Sequence, residues 1–217
     1  MQNLNYKSFR AGLAISFFTA IILLMLSYWL GKNEMFLLIN GDLGIVADYF
    51  FGIWTNAGDG VMWLVVLIII LRMKRKDVLP LIISGFVVST VITQVFKYFI
   101  IPDELRPYKA IADRALIHTV SFVEPYTTSS FPSGHTGTAF SFYLLFCLIF
   151  HKKWWIWAGF TGALLVGYSR VYLAQHFPLD VAGGIIVAIV TASISVQVQK
   201  IWMKRKIVNR QPSTDDR

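Results

Sequence analysis

Six apolar runs separated by short polar or basic stretches constrain this chain more than any other feature. They cover about 11–30, 57–71, 79–101, 136–151, 154–172 and 179–198. A helix rises about 1.5 Å per residue and a bilayer core is about 30 Å thick, so about 20 apolar residues cross it. Several runs reach that length. The run 57–71 is short, and it crosses only if residues before Gly60 contribute. With 56% hydrophobic and 15% charged residues and a mean hydropathy of +0.59, the composition excludes an ordinary soluble domain. The expected fold is all-α: one integral-membrane domain over residues 1–217, built as a six-span transmembrane helical bundle.

The formal charge of +8 does not point to nucleic acid, because of where the basic residues fall. Arg72, Lys74, Arg75 and Lys76, then Lys152 and Lys153, then Lys200, Lys204, Arg205, Lys206 and Arg210 stand in clusters between or after apolar runs. That is the positive-inside pattern of a membrane protein. Lys7 and Arg10 precede a first run with no small-residue cleavage site after it, so that run reads as a retained span. Six spans put both termini in the cytoplasm. On that topology the cytoplasmic side carries 14 basic and 3 acidic groups, a net of +11. The opposite side carries 6 basic and 9 acidic groups, a net of −3.

Several local features fit this layout. Residues 31–60 hold Glu34, Asp42, Asp48 and Asp59 against Lys32 alone, which places them outside. Phe50-Phe51-Gly52-Ile53-Trp54 suits either the headgroup level or packing on the outer surface of the protein. Pro80 stands near the start of its span, where a missing N–H does least harm. Gly159, Gly162 and Gly167 permit close helix contact, and the lone Cys147 reads as a small apolar filler.

Three polar clusters fall on the −3 side. Lys97 and Arg106-Pro107 follow the third run, Ser130-Phe131-Pro132-Ser133-Gly134-His135 opens the fourth, and Ser169-Arg170 through His176 to Asp180 joins the fifth to the sixth. Lys97, Arg106 and Arg170 together need an anion, and the planar arginine fork suits phosphate. Taken singly, Lys97 could snorkel to headgroups, and Arg106 could pair with Asp103 or Glu104. His135 follows Ser133-Gly134 where a helix should begin, with free N–H groups and a hydroxyl suited to an oxyanion. His176 and Asp180 are four apart, so one turn can bring carboxylate against imidazole and leave the other ring nitrogen free to attack phosphorus. Two histidines and an aspartate could also hold zinc, but three nearby cations oppose a divalent ion; no metal or cofactor is expected. His118 and His151 read as structural or interfacial, with no spacing that ties them to the rest.

These residues resemble the three signatures of the membrane-bound type 2 phosphatidic acid phosphatase (PAP2) superfamily of lipid phosphate phosphatases. Those are a lysine followed by Arg-Pro, then Pro-Ser-Gly-His, then Ser-Arg followed by histidine and aspartate. Pro132-Ser133-Gly134-His135 and Ser169-Arg170…His176…Asp180 match fully. The first departs from the pattern: eight residues separate Lys97 from Arg106, against the family's usual six, and a stretch containing Pro102 has room for the extra pair to loop out without displacing Arg106. The resemblance implies His176 as nucleophile, Asp180 as its orienting carboxylate and His135 as acid and later base. It implies phosphate binding by Lys97, Arg106, Arg170, Ser133 and Gly134, without a metal. It further implies a lipid phosphomonoester or diphosphate as substrate: phosphatidylglycerol phosphate, undecaprenyl diphosphate or a lipid A phosphate. The site would face outward from a bacterial inner membrane. A lipid phosphotransferase would share the first half-reaction. An anion transporter is the rival from another class, but it expects charges near mid-membrane rather than at one end.

Overall fold

All six apolar runs fold as helix in the computed structural model, which describes residues 4–208. The helices are α1 (Tyr6–Leu30), α2 (Lys32–Ile39), α3 (Ile45–Trp54), α4 (Met62–Arg72), α5 (Leu79–Val95), α6 (Pro107–Ala110), α7 (Gly134–Ile149), α8 (Trp154–Tyr172) and α9 (Pro178–Val208), and no strand occurs among the described residues. The helix starts follow local chemistry. Asn5 Oδ1 accepts from the Ser8 N–H at 3.1 Å to cap α1, and Pro80 stands in the first turn of α5. Ser133 caps α7, and Pro178 opens α9.

Tyr6–Leu30, Lys76–Ile100 and Pro178–Lys206 are each long and apolar enough to cross a membrane. The second run departs from expectation, because it is not one straight helix. Ile45–Gly58 and Met62–Arg72 form a pair bent by 64°. Asp59 makes the corner, its Oδ1 accepting from Val61 N–H at 2.8 Å. Gly58 makes the corner possible, since a Cβ there would lie 2.5 Å from the His135 carbonyl oxygen. Residues 31–60 are also more helical than their glycines suggest, forming α2 and α3. At the far end of the chain, α9 runs ten residues past its expected limit of 198, carried by Lys200, Lys204 and Lys206, which are good helix formers. Arg210 and the rest of the tail lie outside the described residues.

α7 is the axis of the bundle. At 16 residues, it has nearly every side chain buried by α1, α8 and α9. Phe140, Leu144, Leu145 and Leu148 are fully enclosed, as is Cys147. Gly184 of α9 touches its start so closely that a Cβ would sit 2.5 Å from the Ser133 carbonyl oxygen. Fixed contacts define the two ends of the bundle. At the basic end, Asn5 N–H donates to Leu148 O at 2.7 Å, and Gln199 Nε2 donates to Asp77 O at 2.7 Å. At the opposite end, Lys32 pairs with Glu104 and its ammonium lies 4.3 Å from the centre of the Phe177 ring. All three polar clusters of the sequence gather at this second end.

Candidate active site

The junction of α8 and α9 is a tight reversal that aims two side chains at each other. Ala174 takes a left-handed conformation (φ 53°), and the N–H groups of Gln175 and His176 both donate to Arg170 O, at 2.9 and 3.0 Å. A left-handed residue of this kind ends many helices. Asp180, in the first turn of α9, reaches back to accept from the Phe177 N–H at 2.9 Å, as the third residue of a capping box does. The same oxygen, Oδ2, stands 3.4 Å from His176 Nδ1, within ion-pair reach but without the alignment of a hydrogen bond. His176 and Asp180 are each only 1% exposed.

The other ring nitrogen of His176 faces the cations. Its Nε2 lies 3.3 Å from Arg106 Nη1. Since Arg106 can only donate, that contact assigns the ring proton to Nδ1 and leaves a lone pair on Nε2. Burial holds the His176 pKa well below its ordinary value, and Arg106, Arg170, Lys97 and His135 add to the effect in that order. The imidazole is therefore neutral at pH 7, as a nucleophile must be. Burial also lowers the Arg106 pKa, while Asp180 and Tyr126 act in the opposite direction.

The cations are held by neutral groups. Arg106 donates to the carbonyls of Thr128 at 2.8 Å, Gln175 at 2.9 Å and Ser129 at 3.3 Å. Arg170 Nη1 donates to Thr55 Oγ1 at 2.6 Å, and its Nε is buried without a partner. Neither Arg106 nor Arg170 nor Lys97 forms an ion pair among the described residues. Glu104, one of two acids that could have paired with Arg106, pairs with Lys32 instead. Lys97 sits on a π-helical turn, Phe96–Ile100, in which Ile101 N–H donates to Phe96 O at 2.9 Å. That wider turn ends just before Pro102, between Lys97 and Arg106.

His135, in the first turn of α7, lines an open cavity of about 430 Å3 with Lys97 and Gly134. His176, Arg106 and Arg170 are buried and do not line it. Ser133 is buried; its hydroxyl oxygen accepts from Thr136 N–H at 3.4 Å and Thr136 Oγ1 at 2.9 Å, so its own proton is not committed by those bonds. A Cβ at Gly134 would meet only Thr93 Cγ2, at an ordinary 3.5 Å, so packing does not demand glycine there.

Thr55, Asp59, Gln175 and Ser130 are not among the residues that define the three signatures but contact groups of the site or its supporting turn. Thr55 holds Arg170, and Asp59 Oδ2 is 3.8 Å from His135 Nε2. Gln175 Nε2 donates to Glu124 O at 3.0 Å, which ties the nucleophile's turn to the outer loop. Ser130 Oγ donates to Asp180 Oδ2 at 2.5 Å. His118 lies off the site, 3.1 Å from Asp48 Oδ1, with its backbone N–H on Asn40 Oδ1 at 2.8 Å.

Comparison with known proteins identifies the family. The family model described as the PAP2 superfamily matches residues 78–204, a range that contains all eight residues of the candidate site. An undecaprenyl-diphosphatase from Sulfolobus acidocaldarius is 32% identical over 177 residues, 80% of this chain and 81% of that protein. A lipid A 4'-phosphatase from Porphyromonas gingivalis is 28% identical over 77% of this chain and 72% of its own length. The crystal structure of Aquifex aeolicus LpxE aligns with a TM-score of 0.64 at 31% identity, over 76% of this chain and 93% of that one. On this family match and these relatives, the chain is a phosphatase that belongs to the PAP2 superfamily.

Proposed function

We propose that this protein hydrolyses a phosphomonoester or diphosphate on a membrane lipid, without a metal, through a phosphohistidine on His176. The observation that carries the reading is the meeting of a neutral, carboxylate-backed histidine with three cations that have no acidic partner among the described residues. His176 Nε2 attacks phosphorus and the bond from phosphorus to the leaving oxygen breaks, while His135 gives that oxygen a proton. Burial, Arg170, Lys97 and Arg106 lower the His135 pKa to about 3, so that proton enters with the bound phosphate, whose negative charge offsets those cations. His135, now neutral, takes a proton from water. The water oxygen bonds to phosphorus, the N–P bond breaks, and inorganic phosphate leaves. Lys97, Arg106 and Arg170 stabilise the charge that builds on the equatorial oxygens.

A lipid substrate fits the surroundings of the cavity. It shares Gly60, Trp63 and Phe86 with a second, apolar cavity of about 310 Å3 lined by Leu64, Leu67, Ile82 and Ile83 of α4 and α5. An acyl or prenyl chain can lie in that trough while its phosphate reaches Lys97 and His135. Undecaprenyl diphosphate, a lipid A phosphate and phosphatidylglycerol phosphate are the headgroups to compare. Metal-free chemistry rests on Lys97, Arg106 and Arg170, which supply the positive charge that a metal would otherwise provide. Phosphate release from the preferred lipid is expected to persist in detergent with excess chelator. Loss on chelation with recovery on one added metal would overturn the metal-free reading. Faster release from a water-soluble phosphoester than from all three lipids would overturn the lipid assignment.

We further propose six membrane crossings in a single domain, both termini in the cytoplasm, and the site facing outward from a bacterial inner membrane. The charge partition of +11 against −3 supports this, as does the gathering of the site at the bundle end away from Lys76, Lys152 and Lys200. In a Cys147→Ala background, Asp113→Cys puts a thiol on the exposed outer loop. It should react with an impermeant reagent in intact spheroplasts; reaction only after permeabilisation would reverse the orientation.

A further inference from the structure

We infer that Ser130 is a positioning residue for the His176–Asp180 dyad, acting through the carboxylate of Asp180; this rests on His176 being the nucleophile. Ser130 is fully buried, and its Oγ lies 2.5 Å from Asp180 Oδ2. A short O–H···O contact to an ionised acceptor is among the stronger hydrogen bonds a side chain makes. The same Oδ2 accepts from the Phe177 N–H at 2.9 Å and faces His176 Nδ1 at 3.4 Å, whereas Oδ1 is buried without a partner. All the anchoring of the carboxylate therefore falls on one oxygen.

The two anchors have different origins. Phe177 belongs to the same helix start as Asp180 and fixes only the local cap. Ser130 lies 50 residues away, and its own N–H is held by Glu104 O at 3.0 Å, just ahead of Arg106. Its hydroxyl therefore fixes the plane of the carboxylate from outside the helix. As the Nε2–P bond forms, the imidazole ring gains positive charge, and Oδ2 must stay within ion-pair reach of Nδ1. Without the hydroxyl, the carboxylate keeps the Phe177 bond and can turn about its Cβ–Cγ bond. Ser130 also precedes Ser133-Gly134-His135 by three residues, and Ser133 N–H donates to Asp180 O at 3.0 Å. The segment carrying the acid–base histidine thus holds the nucleophile's partner by both side chain and backbone.

The test measures kcat, KM and inhibition by inorganic vanadate for Ser130→Ala and Ser130→Thr, with His176→Ala and Asp180→Asn assayed in parallel on the preferred lipid. Ser130→Ala is expected to lower kcat on the order of 10–100-fold, the scale found when an outer partner of a buried functional group is lost. KM and vanadate inhibition should hold, because Ser130 does not touch the phosphate site. Ser130→Thr, which keeps the hydroxyl, should recover most of kcat. Wild-type kcat in Ser130→Ala while His176→Ala is dead overturns this inference and leaves the nucleophile standing. Turnover surviving in His176→Ala overturns the nucleophile itself. Equal loss of kcat, vanadate affinity and thermal stability in both serine variants would mark Ser130 as merely structural. Should Ser130→Ala not fold, Ser130→Cys, a weaker donor of similar size, is expected to show the same split.

Discussion

His176→Ala leaves neither turnover nor a phosphorylated enzyme to trap. The substitution removes the group whose lone pair, at Nε2, faces Arg106 with a carboxylate behind it. Loss of the nucleophile in enzymes that form a covalent intermediate typically costs on the order of 10⁶ in rate. The residual pocket still holds three cations, so vanadate should still bind and still raise the melting temperature of the variant; this separates lost chemistry from lost fold. The intermediate is read with phosphorus-labelled lipid, a rapid quench at alkaline pH and identification of the labelled residue, because a phosphoramidate is acid-labile. In the wild type the label is expected on His176. Label on His135 would exchange the two roles, and no label at normal turnover would favour direct attack by water.

Much of this arrangement can be read from the sequence, for physical reasons that differ by element. Apolar runs and basic clusters are local signals, so the helices of all six runs and the shared end of Lys97, His135 and His176 could be placed without coordinates. The i, i+4 spacing of His176 and Asp180 is also local, because Pro178 starts a helix between them. What the runs did not reveal is where a helix bends. Asp59 and the close approach of Gly58 to His135 break the second run, and that approach depends on a contact with α7. The π-helical turn at Lys97 was hidden for a related reason. An extra residue in a motif can enlarge a helical turn or lengthen a loop, and composition does not distinguish the two.

The supporting hydrogen bonds were harder still to foresee. Thr55 meets Arg170 across 115 residues and Ser130 meets Asp180 across 50. Buried charged groups recruit donors and acceptors from whichever segment the fold brings near. Only Ser130 left a trace, as a polar residue at the head of Ser130-Phe131-Pro132-Ser133-Gly134-His135. Arg106 shows the limit of reasoning by pairs: acids three and two residues before it suggested an ion pair, yet the structure gives it backbone carbonyls and the Nε2 of His176.

His135→Ala should be slow rather than dead, and its defect should depend on the leaving group. His135 lines the open cavity beside Lys97, whereas His176 is buried and not part of that lining. General acid–base assistance is typically worth about 10²–10⁴ in rate, and that is the loss expected with a lipid alkoxide or lipid phosphate as leaving group. A nitrophenolate leaves without a proton, so with a nitrophenyl phosphate the first step should largely recover. Water still has to be activated in the second step, and His135 is the base for that as well. Phosphorylated His176 should then accumulate in the variant, visible as a burst of nitrophenolate equal to the enzyme present, followed by a slow steady rate. Equal losses on lipid and nitrophenyl substrates, with no burst, would remove His135 from proton transfer and leave it a phosphate-binding group. Asp59, 3.8 Å from His135 Nε2, offers a graded companion. Asp59→Asn removes the charge facing the ring but not the ring, so its effect should follow the same leaving-group order at smaller amplitude. An Asp59→Asn effect that ignored the leaving group would instead tie that residue to the bend between α3 and α4.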